Sequence, residues 1–337
     1  MTAQSTAQGP SQGRLVAVVV TYNRLEQLRV TVARLLETPL QDLAAIVVID
    51  NASTDGTATW LATQSDSRLD VFRCETNGGG AAGFETGMRR AVAQHDPDWL
   101  VVMDDDARPA PGALSVFHRL DLTGWDGVAA AVYYPDDSPN LAGEICDMNR
   151  PSRNPFWHLP VFLRTLLRLG GRTGFHLGPE DYAAPTARQV DITSFVGFFI
   201  SRRGIELAGY PDASLFVYGD DGLYSLGLSA VGGRIAFQPG VRFDHDCSTF
   251  AGQNGRFVPL WKVYYYHRNL LILYRRAAGW LFWPLMCVIL PKWLLKIRAH
   301  AGERATFLRL LGRAVRDGLA ERTGTDHAQL LRQADGK

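Results

Sequence analysis

The chain has 337 residues, 46% of them hydrophobic and 20% charged, which is ordinary for a soluble globular protein of one large or two smaller domains. Its four cysteines lie far apart without metal-ligand spacing, which excludes a disulfide framework and a zinc site and indicates a reducing compartment. Residues 1–13 are small and polar, unlike a secretory signal, and are predicted to form a disordered tail.

The net charge of +1 conceals a basic C-terminal part. Residues 1–261 carry 21 Lys and Arg against 29 Asp and Glu, whereas residues 262–316 carry 11 against 1. A basic segment of this kind indicates a polyanionic partner, such as lipid headgroups, phosphate or nucleic acid. A solvated helix face is the alternative.

Strands and helices alternate over the first hundred residues. Continuously apolar strands are predicted at 16–20, 46–49 and 99–103 and a third short strand, in chain order, at 68–75, with helices after the first three strands. Such strands predict a parallel sheet covered on both faces, in which ligands bind at the carboxyl ends. Polar clusters occur at these ends, namely Thr21–Arg24, Asp50–Asp55, Asn77–Gly83 and Asp104–Asp106.

The rest of the chain is less regular. Residues 147–190 are rich in Pro, Gly and Arg and are predicted to form a mobile loop, with a short helix near 161–169. A strand is predicted in 191–203, a turn and helix in 215–232, and two short strands in 233–246. Beyond residue 260 the pattern is helical.

The acidic triplet ends an apolar strand, where three adjacent carboxylates are costly unless a cation neutralises them. Mg²⁺ or Mn²⁺ is the expected ion, and it would hold a diphosphate. Alternation along an extended segment predicts Asp104 and Asp106 on one side and Asp105 on the other. A solvated loop that caps the next helix is the alternative.

Residues Gly78–Gly83 fit the pattern GxGxxG between a strand and a helix, with Asp104 about 20 residues further on. They therefore allow a second interpretation, an NAD-dependent oxidoreductase. Two strand-helix units precede this loop, however, and one acid would suffice to bind ribose. Three acids do not fit that interpretation.

Six motifs follow one another along the chain: VVVTYNR, VVIDNASTDGT, NGGGAAGF, VVMDDDA, VYGDDGLYSLGL and VRFDHD. In this order they resemble the inverting family 2 glycosyltransferases of GT-A fold over about residues 14–275, and the bacterial galactofuranosyl- and rhamnosyltransferases in particular. The resemblance implies an α/β fold with a mostly parallel sheet flanked by helices. The expected catalytic domain is 14–255, and a helical extension is expected over 256–337.

The resemblance also implies a UDP- or dTDP-sugar donor, a divalent cation and a set of site residues. Nucleotide-sugar binding is assigned to Thr21, Tyr22, Arg24, Asp50, Asn77, Gly79, Asp104 and Asp105, in which Asp50 would bond the imide of the base. Metal binding is assigned to Asp106, Asp104 and His245.

The sequence GDDGLYS at 219–225 matches the family's acidic pair. Inverting transfer needs a base for the acceptor hydroxyl, which we assign to Asp221, with Asp220 as the second choice. Each carboxylate raises the pKa of the other, and capping of a helix is the alternative role. Leu223 and Gly227 replace the acid and arginine common in the family, which leaves a catalytically inactive sugar-nucleotide-binding protein as a third interpretation. The QxxRW motif of processive synthases is missing, which favours transfer of one or a few sugars.

The apolar run Ala277–Leu290 has 14 residues, fewer than the roughly 20 that span a bilayer. Flanking cations and tryptophans predict an interfacial helix, although packing on the catalytic domain or on a second subunit is the alternative. The tryptophans are Trp261, Trp280, Trp283 and Trp293. Arg268, in YYYHRN, is predicted to face the acceptor or the diphosphate.

The sequence thus predicts metal-dependent transfer of galactofuranose, galactose or rhamnose to a lipid-linked or cell-surface glycan. The expected location is cytoplasmic, peripheral on the inner face of the plasma membrane. No nucleic-acid partner is expected, and a homo-oligomer is compatible with the sequence.

Overall fold

The computed structural model describes residues 13–138, 141–151, 176–246 and 256–334. The predicted tail, except for residue 13, lies outside these residues. So does the middle of the predicted loop, including the helix near 161–169.

The first half of the sheet is parallel. Its elements are β1 (Leu15–Thr21), α1 (Leu25–Leu36), β2 (Ala45–Asp50), α2 (Thr57–Leu61), β3 (Leu69–Arg73), α3 (Gly79–His95) and β4 (Trp99–Asp104). Strand β1 lies between β2 and β4, and β3 pairs with β2, all in parallel. The carboxyl ends of these strands therefore meet at one edge, as predicted.

The second half of the sheet introduces antiparallel pairs. Its elements are β5 (Ala107–Pro109), α4 (Ala113–His118), β6 (Gly127–Tyr133), β7 (Arg150–Pro151), α5 (Pro179–Tyr182), β8 (Arg188–Ile192), β9 (Val196–Ser201), α6 (Arg202–Ala208), α7 (Asp220–Ala230) and β10 (Ile235–His245). The strand order is β3-β2-β1-β4-β9-β6-β10-β8-β7, with β5 paired to β10. Strand β9 runs antiparallel to β4 and β6.

Strand β10 differs from the prediction of two short strands. It is one strand of 11 residues, and its pairing with β6 shifts register between Gln238 and Arg242. Pro239 lies inside this shift and has no N–H to donate to a neighbouring strand. The strand therefore continues past the interruption and places His245 at the edge of the sheet where the carboxyl ends of the parallel strands meet.

Helices cover both faces of the sheet, as the continuously apolar strands predict. Alternate residues of β1 enter two different cores: Val19 packs with α1 and α4, and Val18 packs with α3, α6 and α7. Each fully buried aliphatic side chain contributes about 1.5–3 kcal/mol to folding. The predicted α/β architecture is confirmed.

The C-terminal part is helical and has a core of its own. It consists of α8 (Lys262–Ala278), a 3₁₀ turn (Gly279–Leu281), α9 (Phe282–Leu295), α10 (Arg304–Leu319) and α11 (His327–Ala334). Tyr264 and Leu271 of α8 pack against Phe307 and Leu310 of α10. The chain bends at Gly279, whose φ is +53°.

The helical stretch Lys262–Ala299 is long and apolar enough to cross a membrane, judged by length and composition alone. Its most apolar 18 residues have a mean hydropathy of 1.5, and 33% of them are buried in the protein. One face of α9 is buried, including Phe282 and Trp293, and the opposite face is exposed. Trp280 and Trp283 are 78% and 64% exposed. The prediction that all four tryptophans lie at an interface is therefore wrong, because Trp293 is a core residue and Trp261 is partly buried.

Candidate active site

A cavity of about 700 Å³ lies at the carboxyl ends of β1, β2 and β4 and at the first turn of α7. Nearly all the predicted site residues line it: Thr21, Tyr22, Arg24, Asn77, Gly79, Asp104, Asp105, Asp106, Asp220, Asp221 and His245. Asp50 is not among the lining residues. The topology thus brings these residues together from five separate segments of the chain.

The acidic triplet is organised around Arg24, which follows β1. The Arg24 guanidinium donates to Asp105 Oδ1 at 3.1 Å and to Asp106 Oδ2 at 2.5 Å. Thr21 Oγ1 donates to Asp105 Oδ2 at 2.7 Å. The predicted alternation is therefore wrong: Asp105 and Asp106 share one cation, because β4 ends at Asp104 and the chain turns there.

His245, at the end of β10, completes this acidic region. Its Nε2 lies 3.4 Å from Asp106 Oδ1, and its Nδ1 lies 3.8 Å from Cys146 Sγ. Across the parts of the chain that the structure describes, no group of three or more His, Cys, Asp or Glu side chains is arranged to hold a metal. Asp106 and His245 lie side by side at the cavity that Asp104 also lines, and Arg24 is the counterion of Asp106.

The carboxylates of the triplet differ in their electrostatics. Burial, and then the charges of Asp106 and Asp105, raises the pKa of Asp104 well above its usual range. Burial also raises the pKa of Asp105 to about 6, against the opposing charge of Arg24. For Asp106, burial is outweighed by His245 and Arg24, which lower its pKa. Asp106 is therefore the carboxylate most readily available to a cation.

Asp50 lies fully buried at the end of β2. Its Oδ1 accepts a hydrogen bond from the Ser53 N–H at 2.8 Å, while Oδ2 is buried without a hydrogen-bond partner, 3.6 Å from Arg73 Nε. A buried acceptor without a donor is costly, at about 1–3 kcal/mol. A bound donor group such as an imide N–H would satisfy it.

Asn51, next in the chain, connects β2 to the glycine loop. Its amide donates to the Gly79 carbonyl at 2.8 Å, and its oxygen accepts from the Gly78 N–H at 3.1 Å. Gly79 has φ +81°, and a Cβ there would lie 2.1 Å from the Phe216 carbonyl oxygen. Only glycine fits this contact, so the glycines serve close packing of α3 at the cavity.

The acidic pair begins α7 and follows a constrained loop. Phe216 and Tyr218 both have φ +69°, a conformation that non-glycine residues rarely adopt. The Asn269 side-chain amide donates to the carbonyls of Leu215, Val217 and Tyr218 at 2.8–3.0 Å. These bonds hold the loop that presents the acidic pair to the cavity.

Arg268 is fully buried and does not line the cavity. Its guanidinium donates to the Leu215 carbonyl at 2.8 Å and to Asn269 Oδ1 at 2.7 Å, and it lies over the rings of Tyr264 and Tyr265. The prediction that Arg268 faces the acceptor or the diphosphate is wrong. It supports the same loop from behind.

Asp220 and Asp221 both line the cavity, but their surroundings differ. Burial, and then the charge of Asp221, raises the pKa of Asp220 to about 7. Burial also raises the pKa of Asp221, against a hydrogen bond from the Gly222 N–H and the charge of Arg150. The charge of Asp220 contributes to the raised pKa of Asp104, so the pair and the triplet face the same space.

Comparison with known proteins agrees with this geometry. The model of glycosyl transferase family 2 matches residues 16–173. An undecaprenyl-phosphate mannosyltransferase of Micrococcus luteus is 36% identical over 186 residues, which are 53% of this chain and 70% of the relative. The chain belongs to glycosyl transferase family 2. The expectation of a glycosyltransferase is confirmed, and the oxidoreductase interpretation of Gly78–Gly83 is wrong.

This glycosyltransferase is also similar to a second relative in sequence and to a solved structure. Galactofuranosyltransferase GlfT1 of Mycolicibacterium smegmatis is 27% identical over 212 residues, which are 61% of this chain and 62% of the relative. The chain therefore covers less than two thirds of that relative's length. The mannosyltransferase PcManGT of Pyrobaculum calidifontis, solved with GDP-Man and Mn²⁺, has 20% identity and a TM-score of 0.51, with 98% of this chain and 82% of that chain covered. The fold is that of the GT-A glycosyltransferases.

Several residues that line the glycosyltransferase's cavity were not predicted from the sequence. They come from the segment before α7 and from the C-terminal helices, and include Phe216, Trp261, Lys262, His327 and Leu331. The ring of His327 stacks on Phe216 at 4.2 Å and meets Trp261 edge-on at 5.0 Å. Helical periodicity could place these residues on helices, but it could not indicate that α8 and α11 reach the donor end of the sheet.

Proposed function

We propose that the chain is a metal-dependent inverting glycosyltransferase that uses a UDP- or dTDP-sugar. The observation that carries this proposal is the arrangement of two acidic groups, Asp104–Asp106 and Asp220–Asp221, which face one cavity from different elements. Galactofuranose, galactose and rhamnose are the sugars that the sequence motifs favour. The Micrococcus luteus relative, named for undecaprenyl phosphate, supports a lipid-linked acceptor.

The donor would lie across the carboxyl ends of β1, β2 and β4. Asp50 does not line the cavity, so the base would meet it only after a local opening beside Asn51. Its Oδ2, which has no hydrogen-bond donor and lies 3.6 Å from Arg73 Nε, could then accept from an imide N–H. Tyr22, 43% exposed at the cavity, offers a ring surface for the base. The diphosphate would lie near Gly79, which lines the cavity.

The residues present fit a divalent cation. Asp106 Oδ1 and His245 Nε2, 3.4 Å apart, would hold it, and Asp104 borders the same space. Mg²⁺ commonly binds through one or two protein carboxylates plus substrate phosphates, so a complete protein cage is not required. When bound, the ion supplies positive charge to the diphosphate leaving group.

The chemistry at the acceptor side would use the acidic pair. Asp221 would take the proton of the acceptor hydroxyl as its oxygen attacks the anomeric carbon from the face opposite the diphosphate. The bond between that carbon and the diphosphate oxygen would break with its electron pair on the oxygen. Asp220, with a pKa of about 7, would be the second choice for the base.

Two variants test this division of roles. Asp106→Ala and Asp221→Asn should each abolish transfer, because the first removes a metal ligand and the second removes the base. Calorimetry with UDP and Mn²⁺ should show weakened binding for Asp106→Ala only. Equal loss of nucleotide binding in both variants would contradict the assignment, and a wild-type protein that hydrolyses or transfers no UDP- or dTDP-sugar would contradict the function.

We further propose that the enzyme works on the inner face of the plasma membrane, with the exposed face of α9 in the lipid interface. This face consists of Trp283, Leu294 and Leu295, together with Trp280 of the preceding 3₁₀ turn, and Lys292 and Arg298 beside it are exposed cations. Tryptophans prefer the headgroup level, and cations add attraction to anionic lipid. The buried opposite face and the bend at Gly279 favour a helix lying in the interface over one crossing the bilayer.

A further inference from the structure

Lys262 is a cation at the donor cavity that the assigned roles leave unused. It is the first residue of α8, is half-buried, and lines the cavity. In the described parts of the chain, no hydrogen bond or ion pair engages its ammonium. Its nearest electrostatic neighbour is another cation: burial, and then the charge of Arg24, lowers the pKa of Lys262.

This arrangement is unfavourable unless an anion binds. A partly buried ammonium loses hydration, and a second positive charge nearby adds repulsion. Arg24 is already paired with Asp105 and Asp106, so these carboxylates neutralise Arg24 first. The start of α8 adds the positive end of a helix dipole at the same point. Lys262 is thus a cation at the cavity with which no carboxylate of the described residues forms an ion pair.

We propose that Lys262 binds the diphosphate of the nucleotide-sugar donor and stabilises the nucleoside diphosphate as it leaves. This inference depends on the proposed function and adds a contact from outside the α/β sheet. When the bond between the anomeric carbon and the diphosphate oxygen breaks, that oxygen keeps the electron pair and gains a negative charge. The Lys262 ammonium donates a charge-assisted hydrogen bond to it, while the acceptor proton goes to the carboxylate pair.

The test compares Lys262→Met and Lys262→Arg with the wild-type full-length chain. Arg304→Met is the matched control, because Arg304 is also a cation at the first residue of a helix, but is exposed and lies outside the cavity. Calorimetry measures UDP against uridine, each with Mn²⁺ and with EDTA. Lys262→Met should weaken UDP binding by about 10- to 100-fold under both conditions and leave uridine binding unchanged. Lys262→Arg should recover most of the loss.

The outcomes separate this inference from the proposed function. A wild-type protein that binds neither UDP nor dTDP would contradict the function itself. Wild-type binding of UDP with equal binding by Lys262→Met would overturn only the role of Lys262. If that variant instead raised the KM for a polyprenyl phosphate acceptor with UDP affinity intact, the lysine would serve the acceptor's phosphate, and the donor assignment would be wrong.

Discussion

The side-chain amide of Asn269 in α8 donates to the Tyr218 carbonyl at 2.8 Å, two residues before Asp220. The same amide bonds two more carbonyls of this loop, where Phe216 and Tyr218 have positive φ. The C-terminal helices therefore fix the conformation of the segment that presents the acidic pair. This hydrogen bond therefore links the acidic pair to α8, which lies more than 40 residues further along the chain.

Asn269→Ala should release this loop. The carbonyls of Val217 and Tyr218 lose the Asn269 donor, at a cost of about 1–3 kcal/mol, and the acidic pair loses its fixed position. We expect a lower free energy of unfolding by urea and a kcat reduced more than the KM for the donor. Gln329→Ala, at an exposed position of α11, is the control. A variant with reduced stability but unchanged kcat would show that the loop keeps its position without Asn269.

Gly79→Ala should be strongly destabilising, because a Cβ at this φ of +81° meets the Phe216 carbonyl oxygen at 2.1 Å. We expect a loss of about 2 kcal/mol or more in the free energy of unfolding, together with weaker UDP binding. Gly80→Ala, one position on, is the matched control, since nothing lies within 4 Å of its added Cβ. Gly80 is the second residue of α3, where the same change should stabilise by at most about 0.5–1 kcal/mol. Equal effects at both positions would contradict the contact.

Asp220 should make stability depend on pH. Its folded pKa of about 7 exceeds its ordinary value of 3.8, so folding favours the protonated acid. The associated stability is present below about pH 4 and is lost as the pH rises through 7. Asp220→Asn resembles the neutral acid, so its stability relative to wild type should increase by about 1–3 kcal/mol from pH 5 to pH 8. Urea unfolding at both pH values measures the stability of the variant relative to wild type, and Asp137→Asn, at an exposed position, is the control. If the stability difference between Asp220→Asn and wild type did not change with pH, the raised pKa of Asp220 would be contradicted.

The exposed face of α9 should bind anionic membranes. Trp280→Ala combined with Trp283→Ala removes large apolar side chains from this face, and we expect at least a tenfold loss of binding to phosphatidylglycerol vesicles. Vesicle co-sedimentation measures the effect, with neutral phosphatidylcholine vesicles as the comparison. Leu40→Ala, at an exposed leucine outside α9, is the control. Undiminished sedimentation of the double variant would place the membrane contact elsewhere, and a shift from dimer to monomer would identify the face as a subunit interface.

Much of the fold followed from local patterns. The buried runs of β1, β2 and β4 have no polar alternation, and each ends in a polar cluster, so both the sheet and its active edge were predictable. The motifs similarly predicted which side chains line the cavity. The family comparison then confirmed the class of enzyme.

Contacts between distant segments were not predictable. No local pattern indicates that Arg24 pairs with Asp105 and Asp106, because that pairing depends on a turn after Asp104. Arg268 resembled a ligand-binding residue, yet its burial under Tyr264 and Tyr265 makes it structural. A cation in a motif can bind a ligand or support the fold, and only the tertiary arrangement distinguishes these two roles.

His327 and Leu331 belong to α11, yet they form part of the wall around the donor cavity. A ribosome releases the strands that carry the acidic triplet long before it releases this helix. The emerging polypeptide can thus complete its sheet while the cavity still lacks that wall. The wall of the cavity is complete only after α11 has docked on Phe216.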